Sequence, residues 1–193
     1  MTQKRTRRTI CSLTLALLCL AGASACGEDE AGSGSAPPDY ERALGGAPKP
    51  LADLYAQENR VLDGGAEAFE RRIEDLRGYP VVVNKWASWC GPCRFEFPFF
   101  QRLSAQLGKR VAFVGVDTDD TDAAARTFLR DFPVPFPSYA DPDEEIAAEI
   151  KATLGFPSTA FYDSEGELAF THQGVYADQG ELLADIRSYA LSG

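Results

Sequence analysis

The sequence predicts an α/β domain with a central mixed β-sheet flanked by helices. Two continuous apolar runs, residues 81–83 and 111–116, have the character of strands buried on both faces. A helical pattern over residues 92–107 joins them with the length of a right-handed crossover, which makes them parallel neighbours. Two further short strands near the C-terminus are separated by Asp163-Ser164-Glu165-Gly166, a hairpin turn, and are therefore antiparallel.

The 193 residues suffice for one domain with a full core and an appendage at one end. The appendage comes first. Residues 1–9 carry Lys4, Arg5, Arg7 and Arg8, an apolar segment covers residues 10–20, and small residues lead to Ala25. This is the anatomy of an export signal over residues 1–25, too short for a comfortable membrane span. Ala23-Ser24-Ala25 before Cys26 resembles a lipobox, in which Cys26 becomes the lipidated first residue of the mature protein, although Ala23 stands where Leu is usual. Diacylglycerol supplies the paired acyl chains that stable anchoring needs. The same Ala-x-Ala also suits ordinary cleavage, which would release a secreted soluble protein. Residues 26–50 read as a flexible tether, rich in Gly, Ser, Ala, Pro and acidic residues without periodicity.

The domain proper is expected over residues 51–193. Leu51, Leu54 and Tyr55 mark a short helix; after the break at Gly64-Gly65, Phe69, Ile73 and Leu76 mark a second, closed by Gly78. Following the strand at 81–83, the helix at 92–107 places Cys93, Glu96, Phe100, Leu103 and Leu107 on one stripe. Pro98 falls on the opposite face, where it bends the helix outward. Beyond the strand at 111–116, Ala125, Phe128, Leu129 and Phe132 mark a helix. Residues 133–137 lead to a short edge strand at Ser138-Tyr139, and Ile146, Ala147, Ile150 and Leu154 mark another helix. Strands at 159–162 and 168–172 form the hairpin. A final helix over 178–191 turns Leu183, Ile186 and Ala190 inward.

The chemistry concentrates at Cys90-Gly91-Pro92-Cys93, between the first buried strand and its helix. Two cysteines three apart at a helix start lie on one side of the first turn and can close a small disulfide. Unpaired N–H groups and the positive end of the helix dipole favour a thiolate at Cys90. Pro92 suits the first turn, where its missing N–H would have had no partner. Glu96 lies on the apolar stripe beside Cys93; its carboxyl either snorkels to solvent or turns inward.

The run from Asn84 to Pro98 resembles the active-site segment of thioredoxin-like proteins, and closely that of the TlpA and ResA group of membrane-anchored bacterial thiol–disulfide oxidoreductases. Trp86, Ala87, Trp89, Cys90, Cys93, Glu96 and Pro98 match the group's Trp-Ala-x-Trp-Cys-x-x-Cys followed by Glu and Pro. The resemblance implies a thioredoxin-like fold with a helix–strand insertion ahead of a cis-proline loop, here Gly155-Phe156-Pro157-Ser158-Thr159. It implies Cys90 as attacking thiol, Cys93 as resolving thiol and Glu96 as the carboxyl that serves Cys93. Trp89, Gly91, Pro92, Phe156 and Pro157 are the expected client-binding residues, and Trp86 and Trp89 shape the rim unless Trp86 belongs to the core. Asn84 stands where thioredoxin has a buried aspartate, which leaves Glu96 as the available carboxylate. Lys85 and His172 read as structural. The implied activity is extracytoplasmic reduction of disulfides in exported proteins, apocytochrome c among them, with recharging by a membrane electron donor of the CcdA/DsbD type. No cofactor beyond the redox-active disulfide is implied.

Other function classes are narrowed by composition. The net charge is −10 although the first 25 residues are basic, so the body is strongly acidic, which argues against nucleic acid and anionic lipid headgroups as partners. The acidic surface also serves solubility alone. Of the five cysteines, Cys11 and Cys19 lie in the N-terminal apolar stretch and Cys26 ends it, which leaves no disulfide framework. The single histidine, His172, removes most zinc and copper sites. A peroxidase would want Thr-x-x-Cys, and Ala87-Ser88-Trp89 precedes Cys90 instead. A disulfide-forming oxidant with the same residues stays open, as does a binding module whose Cys90–Cys93 bridge is structural.

Overall fold

The computed structural model describes residues 36–191. The export segment and Cys26 lie outside the described residues. The elements are α1 (Tyr40–Leu44), α2 (Lys49–Tyr55), β1 (Val61–Leu62), α3 (Gly65–Asp75), β2 (Val81–Trp86), α4 (Gly91–Leu107), β3 (Ala112–Thr118), α5 (Asp122–Asp131), β4 (Ser138–Asp141), α6 (Glu145–Glu149), β5 (Ser158–Tyr162), β6 (Leu168–Gln173) and α7 (Gln179–Asp185), which continues as a π-helical turn, Ile186–Ala190.

One six-stranded sheet runs in the order β1-β4-β3-β2-β5-β6. The first four strands are mutually parallel, and β5 and β6 each add antiparallel. β2 and β3 lie at the centre with every residue buried, as their unbroken apolar character requires. Alternate residues of β2 face opposite layers. Trp86 packs on Phe97 of α4 and Phe128 of α5, while Phe69 of α3 meets Tyr139 and Tyr162 across the other face. Gly115 on β3 is required here: a Cβ would lie 2.1 Å from the Ser138 hydroxyl and 3.0 Å from the Trp86 indole nitrogen, which donates to that hydroxyl at 3.1 Å.

Four expectations are corrected. Part of the stretch read as tether is helical and packed: Asp39 caps α1, and the Tyr40 hydroxyl donates to the Pro133 carbonyl. A helix of five residues is too short to show a periodicity. Ser138-Tyr139 is not an edge, because β1, two residues long, pairs outside it. Leu154 is 83% exposed and lies beyond α6, which ends at Glu149. In the last helix Leu182 is buried and Leu183 only partly so, since the π-helical turn that follows rotates the inward stripe.

Candidate active site

The carboxyl end of β2 delivers Trp86 and the turn that places Cys90 as N-cap of α4. Cys90 has extended backbone angles, and its sulfur accepts the Cys93 N–H at 3.1 Å. Cys90 and Cys93 are joined as a disulfide, with Cα atoms 5.3 Å apart. Cys93 has no solvent exposure and Cys90 only 3%, so of the two only Cys90 touches solvent. Gly91 and Pro92 are exposed beside it.

β5 runs antiparallel to β2 with Ser158 opposite Lys85, which sets the preceding loop beside the dithiol. The Phe156–Pro157 peptide bond in that loop is cis. Phe156 meets Trp89 edge-on at 4.8 Å between ring centroids. Trp89 is 57% exposed, and its indole nitrogen donates to the Asp119 carbonyl at 2.9 Å. Trp86 is wholly buried and belongs to the core, not the rim. The active-site turn is braced from the β3–α5 loop as well: the Ser88 N–H donates to the Asp120 carboxylate and Arg94 donates to the Ser88 carbonyl.

Glu96 turns inward. It is 0% exposed, and its carboxylate accepts from the Asn84 side chain at 3.0 Å and from the Tyr176 N–H at 3.3 Å. Burial raises its pKa to about 8 against the opposing pull of those two hydrogen bonds. Its place one turn after Cys93 sets an ionisable carboxyl next to that residue along α4. A second carboxyl, Asp117 at the end of β3, is also pushed up to about 8, by burial first and then by Asp120. Among the described residues, no group of three or more His, Cys, Asp or Glu side chains is arranged to hold a metal ion.

Three contributors escape a reading by motif. Tyr176 supplies a backbone donor from a loop 80 residues after Glu96. Asp120 reaches Ser88 across 32 residues. Lys85 is 1% exposed, and its ammonium donates to the carbonyl of Ala152 at 2.7 Å. A lysine in the middle of an apolar strand was the available signal for the last. His172 stacks on Tyr176 at 4.1 Å between ring centroids and lies 3.3 Å from the Asp185 carboxylate.

A family model described as Redoxin matches residues 65–186. The thiol–disulfide oxidoreductase ResA of Oceanobacillus iheyensis is 33% identical over 54% of this chain and 54% of its own length. The thiol:disulfide interchange protein DsbE of Pseudomonas aeruginosa is 32% identical over 72% of each chain. The first of the curated relatives are matched over about half their length. A crystal structure described as a thiol:disulfide interchange protein DsbE from Chlorobium tepidum superposes with a TM-score of 0.55 at 30% identity, over 60% of this chain and 83% of that one. A mixed sheet of this order, a dithiol capping its central helix and the family match over most of the ordered domain together place the chain in the redoxin family, with a thioredoxin-like fold.

Proposed function

We propose that the protein is an extracytoplasmic thiol–disulfide oxidoreductase that reduces disulfides in exported proteins. The observation that carries the reading is the Cys90–Cys93 pair at the N-cap of α4, with Gly91 and Pro92 exposed beside it and the neighbouring Trp89 ring against Phe156 at 4.8 Å between centroids. In the reduced protein the Cys90 thiolate, favoured by the helix N-terminus, attacks one client sulfur, and the other client sulfur leaves and takes up a proton. The Cys93 thiol passes its proton to Glu96 and attacks the Cys90 sulfur. The client leaves as its second thiol, and the protein is left as the disulfide. Two electrons have passed to the client; Glu96 hands the Cys93 proton to the departing client thiolate, and the first client sulfur takes its proton from solvent. Trp89, Gly91, Pro92, Phe156 and Pro157 form the surface on which the client segment lies.

Recharging falls to a membrane electron donor of the CcdA/DsbD type, with Cys26 as a lipid anchor that keeps the domain within its reach and apocytochrome c as one candidate client. The relatives' names, ResA thiol–disulfide oxidoreductase and DsbE interchange protein, support the exchange chemistry. The deciding experiment is the equilibrium potential of the Cys90–Cys93 pair, followed by tryptophan fluorescence in graded thiol–disulfide buffers. A value near that of thioredoxin, about −270 mV, supports a reductant, whereas one near about −120 mV makes the protein a disulfide-forming oxidant. Cys93→Ser is expected to accumulate mixed disulfides through Cys90. Failure to trap any partner would leave the bridge as a structural feature of a binding module.

A further inference from the structure

Every residue of β2 is buried, and one of them is a lysine. Taking an ammonium out of water is costly unless its donors are satisfied, and Lys85 satisfies them in one place. Its Nζ donates to the carbonyls of Ala152 at 2.7 Å and Gly155 at 3.3 Å, and lies 4.0 Å from the centroid of the Phe156 ring. All three partners belong to the segment that leads from α6 into β5. Burial lowers the Lys85 pKa, and Glu144, Asp141 and Asp119 oppose that shift, so the positive charge is compensated from the same end of the sheet.

The segment is also tied to β6 through Gln173, whose side chain accepts the Leu154 N–H and donates to the Lys151 carbonyl; the Lys85 contact adds the link to β2. Gly155 has φ +137°, a conformation that side chains rarely adopt, and Leu154 beside it is exposed. Hydrogen bonds at Ala152 and Gly155 tie the segment at two points to the rigid strand that carries the dithiol. The Phe156 ring thus meets both the Lys85 ammonium over its face and the Trp89 ring in an edge contact.

We infer that Lys85 is a positioning residue for the client-binding loop: its buried ammonium, held by the Ala152 and Gly155 carbonyls and the face of Phe156, fixes the pose in which residue 156 meets a client chain. The inference rests on the exchange function proposed above. A client protein needs the loop in place because it lies across it. A small disulfide such as oxidised glutathione presents far less chain to the loop and depends on it less.

The test is single-turnover oxidation of the reduced protein by insulin and, separately, by oxidised glutathione, for wild type and Lys85→Met. Methionine keeps the length and removes the donors and the charge. The insulin rate constant is expected to fall at least about tenfold further than the glutathione rate constant, chiefly through a higher insulin concentration at half-maximal rate. A merely structural lysine would lower both rates by one factor, and that result, or no change in either, would overturn the inference. Lys85→Gln, which retains a donor, should give an intermediate ratio and decides the matter if Lys85→Met does not fold. Wild-type protein inert toward both disulfides would overturn the exchange reading and the positioning role together, whereas active wild type with an unchanged ratio in the variants would overturn the role of Lys85 alone.

Discussion

Glu96 carries two consequences of burial that can be measured separately. Its folded-state pKa, about 8, lies above the ordinary value of 4.5, so between these values the folded protein binds a proton that the unfolded chain releases. Stability from this carboxyl is full at acid pH and is lost as pH rises through that window, at a rate approaching about 1.4 kcal/mol per pH unit. Asp117, raised to about 8, adds to the same slope. Denaturant unfolding of the oxidised protein at pH 5 and pH 8 should therefore show lower stability at pH 8. Glu96→Gln and Asp117→Asn should each flatten the difference. The second consequence is kinetic: the rate at which Cys93 resolves a mixed disulfide should rise with pH as Glu96 loses its proton. Glu96→Gln should slow that step about a hundredfold and remove the inflection, as seen by stopped-flow release of client thiol.

At the scale of elements, buried polar anchors join pieces that hydrophobic patterning alone would leave loosely attached. The Tyr55 hydroxyl at the end of α2 donates to the Val111 carbonyl at 2.8 Å, just ahead of β3, in a buried site. Tyr55→Phe leaves that carbonyl unpaired and should cost about 1–3 kcal/mol in denaturant unfolding without changing the redox potential. Asp141 closes β4 and starts α6: its carboxylate accepts the N–H groups of Ile146 and Ala147, each at 2.9 Å, and the Thr118 hydroxyl at 3.2 Å. Asp141→Ala should cost about 2 kcal/mol. It should also raise amide exchange over residues 145–150 ahead of global unfolding, measured by native-state hydrogen exchange.

For the whole molecule, the proposed function asks for a domain held near a membrane that supplies electrons. No helix among the described residues is long and apolar enough to cross a membrane; under the proposed function Cys26 is the anchor. Cys26→Ala should move the protein from the membrane fraction to the soluble extracytoplasmic fraction while leaving the potential of the purified domain unchanged, as read by fractionation and by redox titration. Wild-type protein already soluble would replace the anchor with ordinary signal cleavage.

The sequence by itself determined the strand-turn-helix unit around Cys90 and Cys93, because its signals are local. An apolar run, a proline in a first helical turn and a helical stripe over residues 92–107 each follow from neighbours within a few positions. The order of the parallel strands β2 and β3 and the hairpin of β5 and β6 were legible for the same reason. What only the tertiary structure decided depends on partners far apart in the chain. The direction of Glu96 was set by Asn84 and by Tyr176, 80 residues on; the interior place of β4 was set by two residues, Val61 and Leu62. The work of Lys85 was set by carbonyls 67 and 70 residues away. A buried polar group takes its state from whichever donors and acceptors the fold brings to it, and no local pattern in the chain records them.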